Sequence, residues 1–455
     1  MTTLIQDRNL KRIETIDDLV QCFHRWAKPR EKTRVGLEAE FIGVHTGTGR
    51  ALPYYGFNGI QGVLEQLAGE FDYEPLREDG NIIALRRGDL WIGLEPGGQL
   101  ELSAPPVSNI FEVEEQLDHF IKELRAVSAS VPNVAWLAHG IHPFSGLDDI
   151  PWVPKKRYQV MAEYLGTHGS LSHHMMKRTA TNQVNVDYLS EEDAMVSLRV
   201  SLGITSLVSA MFAHSSFSSG QPNGYLSRRL AIWKETDPDR TGIPSQLLLP
   251  GATFADYVRF VLDIPVMFLV REAEWIPVGD RTFRQFFERG YEGHYATFSD
   301  FELHLSTFFP EVRLKRYLEI RGVDGQSPDL IPAVAAFWKG IFYHPDAREE
   351  AWKLVSKMTF KERMDLHQRV MKEGMKAKVG RYSVLSLVRE LVDISCASLA
   401  LQKTVKEWRN ECVFLDRIRE KIIDPGKSPA EVLLEKWYRD FGQNPQKLIQ
   451  YLKIA

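Results

Sequence analysis

The segment Glu311-Val-Arg-Leu-Lys-Arg-Tyr-Leu-Glu-Ile-Arg321 alternates ionisable and apolar side chains along its length. With a two-residue period, one side carries Arg313, Lys315, Tyr317, Glu319 and Arg321, and the other carries Val312, Leu314, Leu318 and Ile320. Because successive side chains of a β-strand point to opposite faces, this pattern predicts a strand with an apolar back and an ionised front. A solvated strand face would carry charges too, so the segment alone does not identify a site.

Three further stretches place carboxylate or amide groups on one side of a predicted strand. Thr33–Ile42 presents Glu38 and Glu40, and the stretch 175–187 presents Gln183 and Asn185. Between them, Pro96-Gly97-Gly98 interrupts the run from Leu94 to Ser103, which is typical of a bulge or tight bend. Glu95, before the bend, and Glu101, after it, are therefore predicted to face the same space.

Neighbouring positions in one sheet would crowd five glutamates onto one surface. At about 6.5 Å and an effective dielectric of 20, each nearest pair would repel by roughly 2.5 kcal/mol. Hard oxygen ligands of this kind suit Mg²⁺ or Mn²⁺ and not zinc. Arg313, Lys315 and Arg321 would suit a polyanion, because guanidinium groups match phosphate oxygens. The pattern favours ATP binding and phosphoryl transfer; scattered solvated faces remain the alternative, since one sequence cannot show that strands are adjacent.

Composition excludes several classes of protein. The net charge of −4 argues against a nucleic-acid-binding face. The first ten residues lack the apolar core of a signal peptide, and Arg199 and His214 interrupt the apolar run 196–217, which is therefore interpreted as a buried helix. The three cysteines, Cys22, Cys396 and Cys412, are far apart in sequence and are predicted to be free thiols. We therefore expect a cytoplasmic protein without a membrane partner.

The order of predicted elements indicates an α+β fold. Helical periodicity is present at 16–27, 59–71, 110–128, 155–165, 191–217 and in five segments after residue 331; two-residue periodicity is present at 33–42, 81–94, 175–187 and 311–321. The composition becomes mainly helical near Gln326. We expect a single catalytic domain over residues 1–455, with a sheet core at about 33–325 and a helical part at about 330–455.

Several motifs resemble glutamate–cysteine ligase of the plant and proteobacterial type. The stretches are Gly36-Leu-Glu-Ala-Glu40, Leu94-Glu-Pro-Gly-Gly-Gln-Leu-Glu-Leu-Ser103, Met176-Lys-Arg-Thr-Ala-Thr-Asn-Gln-Val-Asn185, Asn223-Gly-Tyr-Leu-Ser227, Ile232-Trp-x-x-Thr-Asp-x-Asp-Arg-Thr-Gly242 and Phe309-Pro-Glu-Val-Arg-Leu-Lys-Arg-Tyr-Leu-Glu-Ile-Arg-Gly322. They occur in the family's order from about residue 34 to residue 343.

The resemblance implies a glutamine-synthetase-like fold, in which six antiparallel strands form a funnel packed by helices. It also implies a reaction: ATP phosphorylates the γ-carboxylate of glutamate, and the amine of cysteine attacks the acyl phosphate. The products are γ-glutamylcysteine, ADP and phosphate, in the first step towards glutathione. The implied partners are these small molecules, and the protein would be a monomer or a homodimer.

The resemblance also assigns residues. It places metal ligands at Glu38, Glu40, Glu95, Glu101, Asn185 and Glu319, and the nucleotide near Gln183, Lys315 and Arg321. It gives catalytic roles to Arg321, Glu101 and Glu319. Motif proximity alone places the amino-acid pockets near Arg178, Arg229, Trp233 and Arg240, and Arg178 or Arg229 could equally form a structural ion pair.

Three other functions are compatible with parts of the pattern. A ligase on the same scaffold could join glutamate to a different amine, because no motif reads a thiol. A glycosidase could use Glu101 and Glu319 as acid and base, although this leaves Arg321 and the other glutamates without a role. A non-catalytic binding protein could retain the fold.

Overall fold

The computed structural model describes residues 9–402 and 410–455. Most of the N-terminal segment that is predicted not to be a signal peptide, residues 1–8, lies outside the described residues, as do residues 403–409 of the helical C-terminal part. Within the described ranges the chain forms one large antiparallel sheet surrounded by helices, which confirms the α+β prediction.

The main sheet has nine strands, whereas the resemblance implied six. They are β1 (Val35–His45), β2 (Glu74–Glu78), β3 (Asn81–Arg87), β4 (Leu90–Leu94), β5 (Leu100–Ser103), β6 (Val134–Leu137), β7 (Asn182–Val186), β8 (Val312–Leu314) and β9 (Leu318–Ile320). Their order is β8-β9-β7-β1-β5-β4-β3-β2, and β6 pairs with the far end of β1. Thus β1 pairs with three strands and lies at the centre of the sheet.

The stretch 311–321 is not one strand but a tight hairpin. β8 and β9 pair antiparallel, with Val312 opposite Ile320, Arg313 opposite Glu319 and Leu314 opposite Leu318. The prediction of a continuous strand is wrong because Lys315-Arg316-Tyr317 turns the chain without the Gly, Pro, Asn or Asp that usually announces a turn. The predicted separation of faces survives, since residues paired across a hairpin share a face.

The back of the sheet packs against helices. Leu37, Ala39 and Phe41 of β1 are buried there, and the rings of Phe41 and Phe120 stack 6.1 Å apart. Helices 110–130 and 331–342 cover this side of β1. The alternation within β1 therefore sends its apolar side chains into the core and its two glutamates to the opposite face.

Seventeen helices surround the sheet in the described part of the chain. They are α1 (Ile16–Trp26), α2 (Ile60–Glu70), α3 (Ile110–Ser130), α4 (Lys156–Leu165), α5 (Ser172–Arg178), α6 (Glu191–Met211), α7 (Arg228–Lys234), α8 (Phe254–Leu262), α9 (Phe283–Arg289), α10 (Phe298–Ser306), α11 (Ile331–Phe342), α12 (Pro345–Val355), α13 (Phe360–Glu373), α14 (Val384–Leu401), α15 (Val413–Ile418), α16 (Pro429–Arg439) and α17 (Pro445–Leu452). The ten predicted helices are all present.

Shorter elements connect these helices. Two-stranded pairs join Phe217–Ser218 to Gln221–Pro222, Phe268–Arg271 to Glu274–Pro277, Lys378–Val379 to Tyr382–Ser383, and Thr241–Gly242 to Phe309–Pro310. Single turns of other helix types occupy Arg30–Lys32, Ser245–Leu248, Gly374–Lys376 and Arg419–Ile423. The predicted strand at 175–187 is wrong in its first part, because residues up to Arg178 complete α5 and β7 begins only at Asn182.

Helix α6 is, within the described residues, the one helix long and apolar enough to cross a membrane. In this fold 83% of its most apolar stretch is buried inside the protein, where it packs against α12, α13 and α14. This agrees with the interpretation of the segment as a core helix.

The cysteines differ from the prediction of three free thiols. Cys22 is free and buried, but Cys396 and Cys412 form a disulfide with their Cα atoms 4.8 Å apart. The prediction is wrong for this pair because a separation of 16 residues gave no sign that α14 and α15 pack side by side.

Candidate active site

The four ionised stretches meet on one face of the sheet. Glu40 of β1 lies directly opposite Glu101 of β5, and Glu38 lies opposite Gln183 of β7. On the far side of β7, Asn185 lies opposite Glu319 of β9. The strands that carry these stretches, whose adjacency the sequence could not show, are therefore neighbours in the sheet.

A cavity opens above this face. The carboxylates of Glu40, Glu95 and Glu101 line one part of it. Other parts of its wall are cationic or apolar, and they comprise Lys155, Arg157, Arg229, Arg313 and Arg321 together with Tyr158, Met161, Met175, Met176, Trp233 and Phe309. Its combination of acidic, basic and apolar walls is that of a small-molecule site.

A tight turn brings Glu95 to the cavity. The backbone N–H of Gly98 donates to the carbonyl of Glu95 at 2.8 Å, and Gly98 has a positive φ of 83°. A Cβ at Gly97 would lie 2.1 Å from the carbonyl oxygen of Lys177. The two glycines thus allow the turn to reverse and to pack on the end of α5, which matches the bend predicted at Pro96-Gly97-Gly98.

The acidic side of the cavity gathers three carboxylates. Burial raises the pKa of Glu40 well above its usual range, and the neighbouring carboxylates of Glu95 and Glu101 raise it further. Burial and the Glu101 carboxylate likewise raise the pKa of Glu95 to about 7. Ionised together, these groups would repel one another, so the site has a strong electrostatic preference for a bound cation.

On the opposite side, three cations surround Glu319. Its carboxylate lies 2.7 Å from Arg313, 2.5 Å from Lys315 and 2.5 Å from Arg321. Burial works against ionisation of Glu319, but these three positive charges outweigh it and hold its pKa well below its usual range. The site therefore has one acidic half and one basic half.

The predicted metal ligands fit a hard cation by chemistry. Glu40, Glu95 and Glu101 supply carboxylate oxygens beside the cavity, and the buried side-chain oxygen of Asn185 has no hydrogen-bond partner within residues 9–402 and 410–455. As the side chains stand, however, no three His, Cys, Asp or Glu groups in those ranges converge closely enough to hold a metal ion. Ligation by Glu38, Glu40, Glu95, Glu101, Asn185 and Glu319 stays a prediction.

Arg321 joins the two halves. Its guanidinium donates to the side-chain oxygen of Gln183 at 2.7 Å and stacks over Trp233 with its Cζ 5.3 Å from the ring centre. Its carbonyl accepts from the guanidinium of Arg229 at 2.9 Å. The structure therefore brings together Gln183, Arg321, Arg229 and Trp233, and Lys315 reaches them only through Glu319 at the hairpin end.

Two of the four residues assigned to the amino-acid pockets lie elsewhere. Arg240 has no exposed surface, pairs with Asp237 at 2.9 Å and donates to the carbonyl of Pro265 at 2.6 Å. Arg178 is buried against the carbonyl of His142 and the ring of His174, outside the residues that line the cavity. Neither is among the residues that line the cavity, and the assignment of both to the amino-acid pockets stays a prediction.

Sequence reasoning missed two cationic residues of the cavity wall. Lys155 is 5% exposed, and burial lowers its pKa to about 8. Arg157 is 8% exposed, donates to Ser306 at 3.3 Å and keeps its Nε atom without a partner in the described part of the chain. The run Lys155-Lys156-Arg157 at the start of an amphipathic helix was the available signal, but a basic run at a helix start is usually solvated.

The chain matches the family model "Glutamate-cysteine ligase family 2" over residues 34–448. It is 35% identical to a glutamate–cysteine ligase from Solanum lycopersicum and 35% identical to one from Arabidopsis thaliana, covering 96% of this chain and 82% and 83% of those proteins. Both are named chloroplastic. The similarity to these relatives therefore extends over most of the chain.

Two solved structures share the fold. A glutamate–cysteine ligase from Francisella tularensis in complex with AMP superposes with a TM-score of 0.54 at 13% identity, covering 92% of this chain and 87% of that one. A bifunctional glutathione synthetase from Pasteurella multocida gives a TM-score of 0.52 at 12% identity, covering 96% of this chain and 53% of that one. At these identities the likeness establishes the architecture, as expected for a glutamine-synthetase-like sheet.

The cytoplasmic location expected from the sequence is contradicted by the plant relatives, which are named chloroplastic. The expectation rested on a small number of cysteines, which indicates a reducing compartment but cannot distinguish one reducing compartment from another.

Proposed function

The chain belongs to glutamate-cysteine ligase family 2, and from this premise we propose that it joins the γ-carboxylate of glutamate to the amine of cysteine with ATP. The observation that carries the proposal is the single face on which Glu40, Glu101 and Arg321 meet, inside a cavity at the centre of the sheet. Family membership indicates the reaction, and the separate acidic and basic halves of the cavity provide the charged groups that the reaction requires.

The chemistry has two steps. The terminal phosphoryl group of ATP passes to a γ-carboxylate oxygen of glutamate, and the bond to ADP breaks. The amine lone pair then attacks the acyl carbon, phosphate leaves with the C–O electron pair, and the amine loses a proton. Catalysis of such transfers consists mainly of positioning and of stabilising negative charge.

The basic half of the site suits the phosphate groups. The guanidinium groups of Arg321 and Arg313 both line the cavity, and that of Arg321 donates to the side chain of Gln183. Lys315 contributes through the ion-paired cluster around Glu319. We assign Arg321 to the transferred phosphoryl group because a guanidinium can donate two hydrogen bonds to phosphate oxygens.

The amino-acid carboxylates are assigned to Arg229 and Arg157. Both are buried guanidinium groups on the cavity wall, and neither is paired with a carboxylate at ion-pair distance in the described part of the chain. Burial lowers the pKa of each, so a bound anion would stabilise its charged form. Trp233 and the methionines Met161, Met175 and Met176 complete an apolar wall suited to the substrate side chains.

Magnesium or manganese is assigned to the acidic half. Glu40, Glu95 and Glu101 would hold it, with Glu38 and Asn185 nearby, because these are hard oxygen donors and because burial, together with the neighbouring carboxylates, raises the pKa values of Glu40 and Glu95. When bound, the ion would neutralise phosphate oxygens and allow all three carboxylates to stay ionised. Glu319 is assigned instead to orienting the three cations around it.

The test is the mass of the product after incubation with ATP, Mg²⁺, glutamate and a mixture of amino acids. We expect γ-glutamylcysteine, with ADP released in equal amount. A product in which glutamate is joined to a different amine would keep the ligase mechanism and overturn the substrate. No ADP and no product would overturn the proposal as a whole.

A further inference from the structure

Asp324 is a fully buried carboxylate directly behind the cavity wall. It is 2% exposed, and its Oδ2 atom accepts from the backbone N–H of His214 at 2.8 Å and from the hydroxyl of Ser215 at 2.7 Å. Its Oδ1 atom accepts from the hydroxyl of Ser227 at 3.0 Å. A Cβ at Gly140 would lie 2.7 Å from the Asp324 side chain, so the backbone closes tightly around this group.

The carboxylate fixes the direction of both hydroxyl groups. Because each hydroxyl has one proton and gives it to Asp324, each oxygen turns its lone pairs towards the first turn of α7. Ser215 then accepts from the backbone N–H of Arg229 at 3.0 Å, and Ser227 accepts from the backbone N–H of Leu230 at 3.2 Å. One aspartate therefore holds the start of α7 through two serines.

Helix α7 carries two residues of the cavity wall. Arg229 and Trp233 are four positions apart, so they lie on the same side of the helix, and the Arg229 Cζ is 5.5 Å from the Trp233 ring centre. The far end of Arg229 is held by the carbonyl of Arg321 at 2.9 Å. The Arg229 side chain is thus fixed at its backbone by the Asp324 network and at its guanidinium by the strand hairpin.

We propose that Asp324 is a positioning residue that sets Arg229 in the cavity, and so determines how tightly the amino-acid substrate whose carboxylate Arg229 contacts is bound. The inference rests on the proposed function and adds a residue that the family motifs did not assign. Asp324 does not touch the substrate. It acts through Ser215, Ser227 and the first turn of α7.

The test variant is Asp324→Asn, which keeps the shape of the side chain. An amide presents two N–H donors where the carboxylate presented an acceptor, so one serine hydroxyl must turn and release its N–H group of α7. We expect the KM for either glutamate or cysteine to rise about tenfold, with kcat changed less than about threefold and the KM for ATP unchanged. Equal losses for all three substrates, or no loss, would overturn the proposal.

A double-mutant cycle separates positioning from general loss of structure. In an Arg229→Met background, Asp324→Asn should raise the same KM no further, because the group that it positions is gone. An unchanged tenfold effect in that background would show that Asp324 acts independently of Arg229, and would overturn the inference.

Ser216→Ala is the matched control. Ser216 is a fully buried neighbour of Ser215, and its hydroxyl has no partner among the described residues, so its removal should leave every KM unchanged. If Asp324→Asn does not yield folded protein, Ser215→Ala replaces it in the same cycle. Wild-type turnover in the same assay keeps a failure of this inference distinct from a failure of the proposed function.

Discussion

Arg313 and Glu319 face each other across a three-residue turn, with a guanidinium nitrogen 2.7 Å from a carboxylate oxygen. The same carboxylate also receives Lys315 and Arg321. The hairpin therefore folds a linear run of charges into a cluster of three cations around one buried anion. The first prediction concerns that anion.

Glu319→Gln should strongly destabilise the protein. It leaves three buried positive charges without their shared counter-charge, and removal of one partner from a buried pair typically costs about 3–5 kcal/mol. We expect a free energy of unfolding lower by at least about 3 kcal/mol in urea denaturation, with partial recovery on adding ATP or sulfate. An unchanged midpoint would mean that the cluster is not formed in solution.

Glu101→Gln should abolish ADP formation with little change in thermal stability. Removing one negative charge from the acidic half relieves repulsion with Glu40 and Glu95 but deletes an oxygen donor needed by a divalent cation. Turnover should fall at least about a hundredfold, corresponding to roughly 3 kcal/mol. Glu349→Gln, at an exposed pair with Lys353, is the control. Retained activity in Glu101→Gln would refute the metal assignment.

The pKa of Glu95, raised from 4.5 to about 7, makes a prediction about pH. Its contribution to stability is fully present below pH 4.5 and is lost as the pH rises through 7, because ionisation in the buried site is unfavourable. The shift corresponds to an upper bound of about 3 kcal/mol.

The stability difference between wild type and Glu95→Gln isolates this effect. The buried histidines, whose pKa values are lowered, respond to pH in the opposite sense but are common to both proteins. In metal-free buffer, wild type should lose stability relative to the variant between pH 5 and pH 8, and Mg²⁺ should restore it most at pH 8. A constant difference across that range would contradict the shifted pKa.

Lys315 and Arg316 are neighbours, but we expect substitution of Lys315 to have a large effect and substitution of Arg316 a small one. Lys315→Met should raise the KM for ATP about tenfold, because Lys315 belongs to the buried cluster beside the phosphate-binding Arg321. Arg316→Met should change the KM little and stability by less than about 1 kcal/mol, since its pair with Glu302 is exposed. Steady-state kinetics of the two variants, side by side, would detect the difference. Equal effects would show that the turn lies differently from the structure described.

The disulfide gives a redox prediction. Cys396 and Cys412 enclose a loop of 16 residues, and a cross-link of that span stabilises by about 3 kcal/mol through the entropy of the unfolded chain. Reduction with dithiothreitol should lower the melting temperature of wild type but not that of Cys396→Ser. A melting temperature insensitive to reductant in both proteins would show that the thiols are free in solution.

Much of the fold could be predicted from the sequence, because periodicity and packing agree. The alternation in β1 separates Leu37, Ala39 and Phe41 from Glu38 and Glu40, and the structure buries the first three against helices and turns the glutamates towards the cavity side. The bend at Gly97-Gly98 could also be predicted, because two adjacent glycines inside an apolar alternation are typical of a bulge or tight bend.

The features that the sequence did not predict depend on contacts between residues far apart in the chain. The turn at Lys315-Arg316-Tyr317 carries no turn residue, and the ion pairs around Glu319 exist only after the chain reverses. Arg229 and Arg240 were both assigned by their proximity to motifs, yet one lines the cavity and the other is buried against Asp237. Lys155 and Arg157 could not be assigned because burial of a basic run depends on which elements cover it.

The three-sided pairing of β1 has a consequence for redesign of substrate range. A strand that pairs along both edges tolerates substitution poorly, so β1, which carries Glu38 and Glu40, should be left intact. Helix α7 is more permissive, because it reaches the cavity from a short, locally anchored segment. Libraries that seek acceptance of bulkier amines should concentrate diversity there.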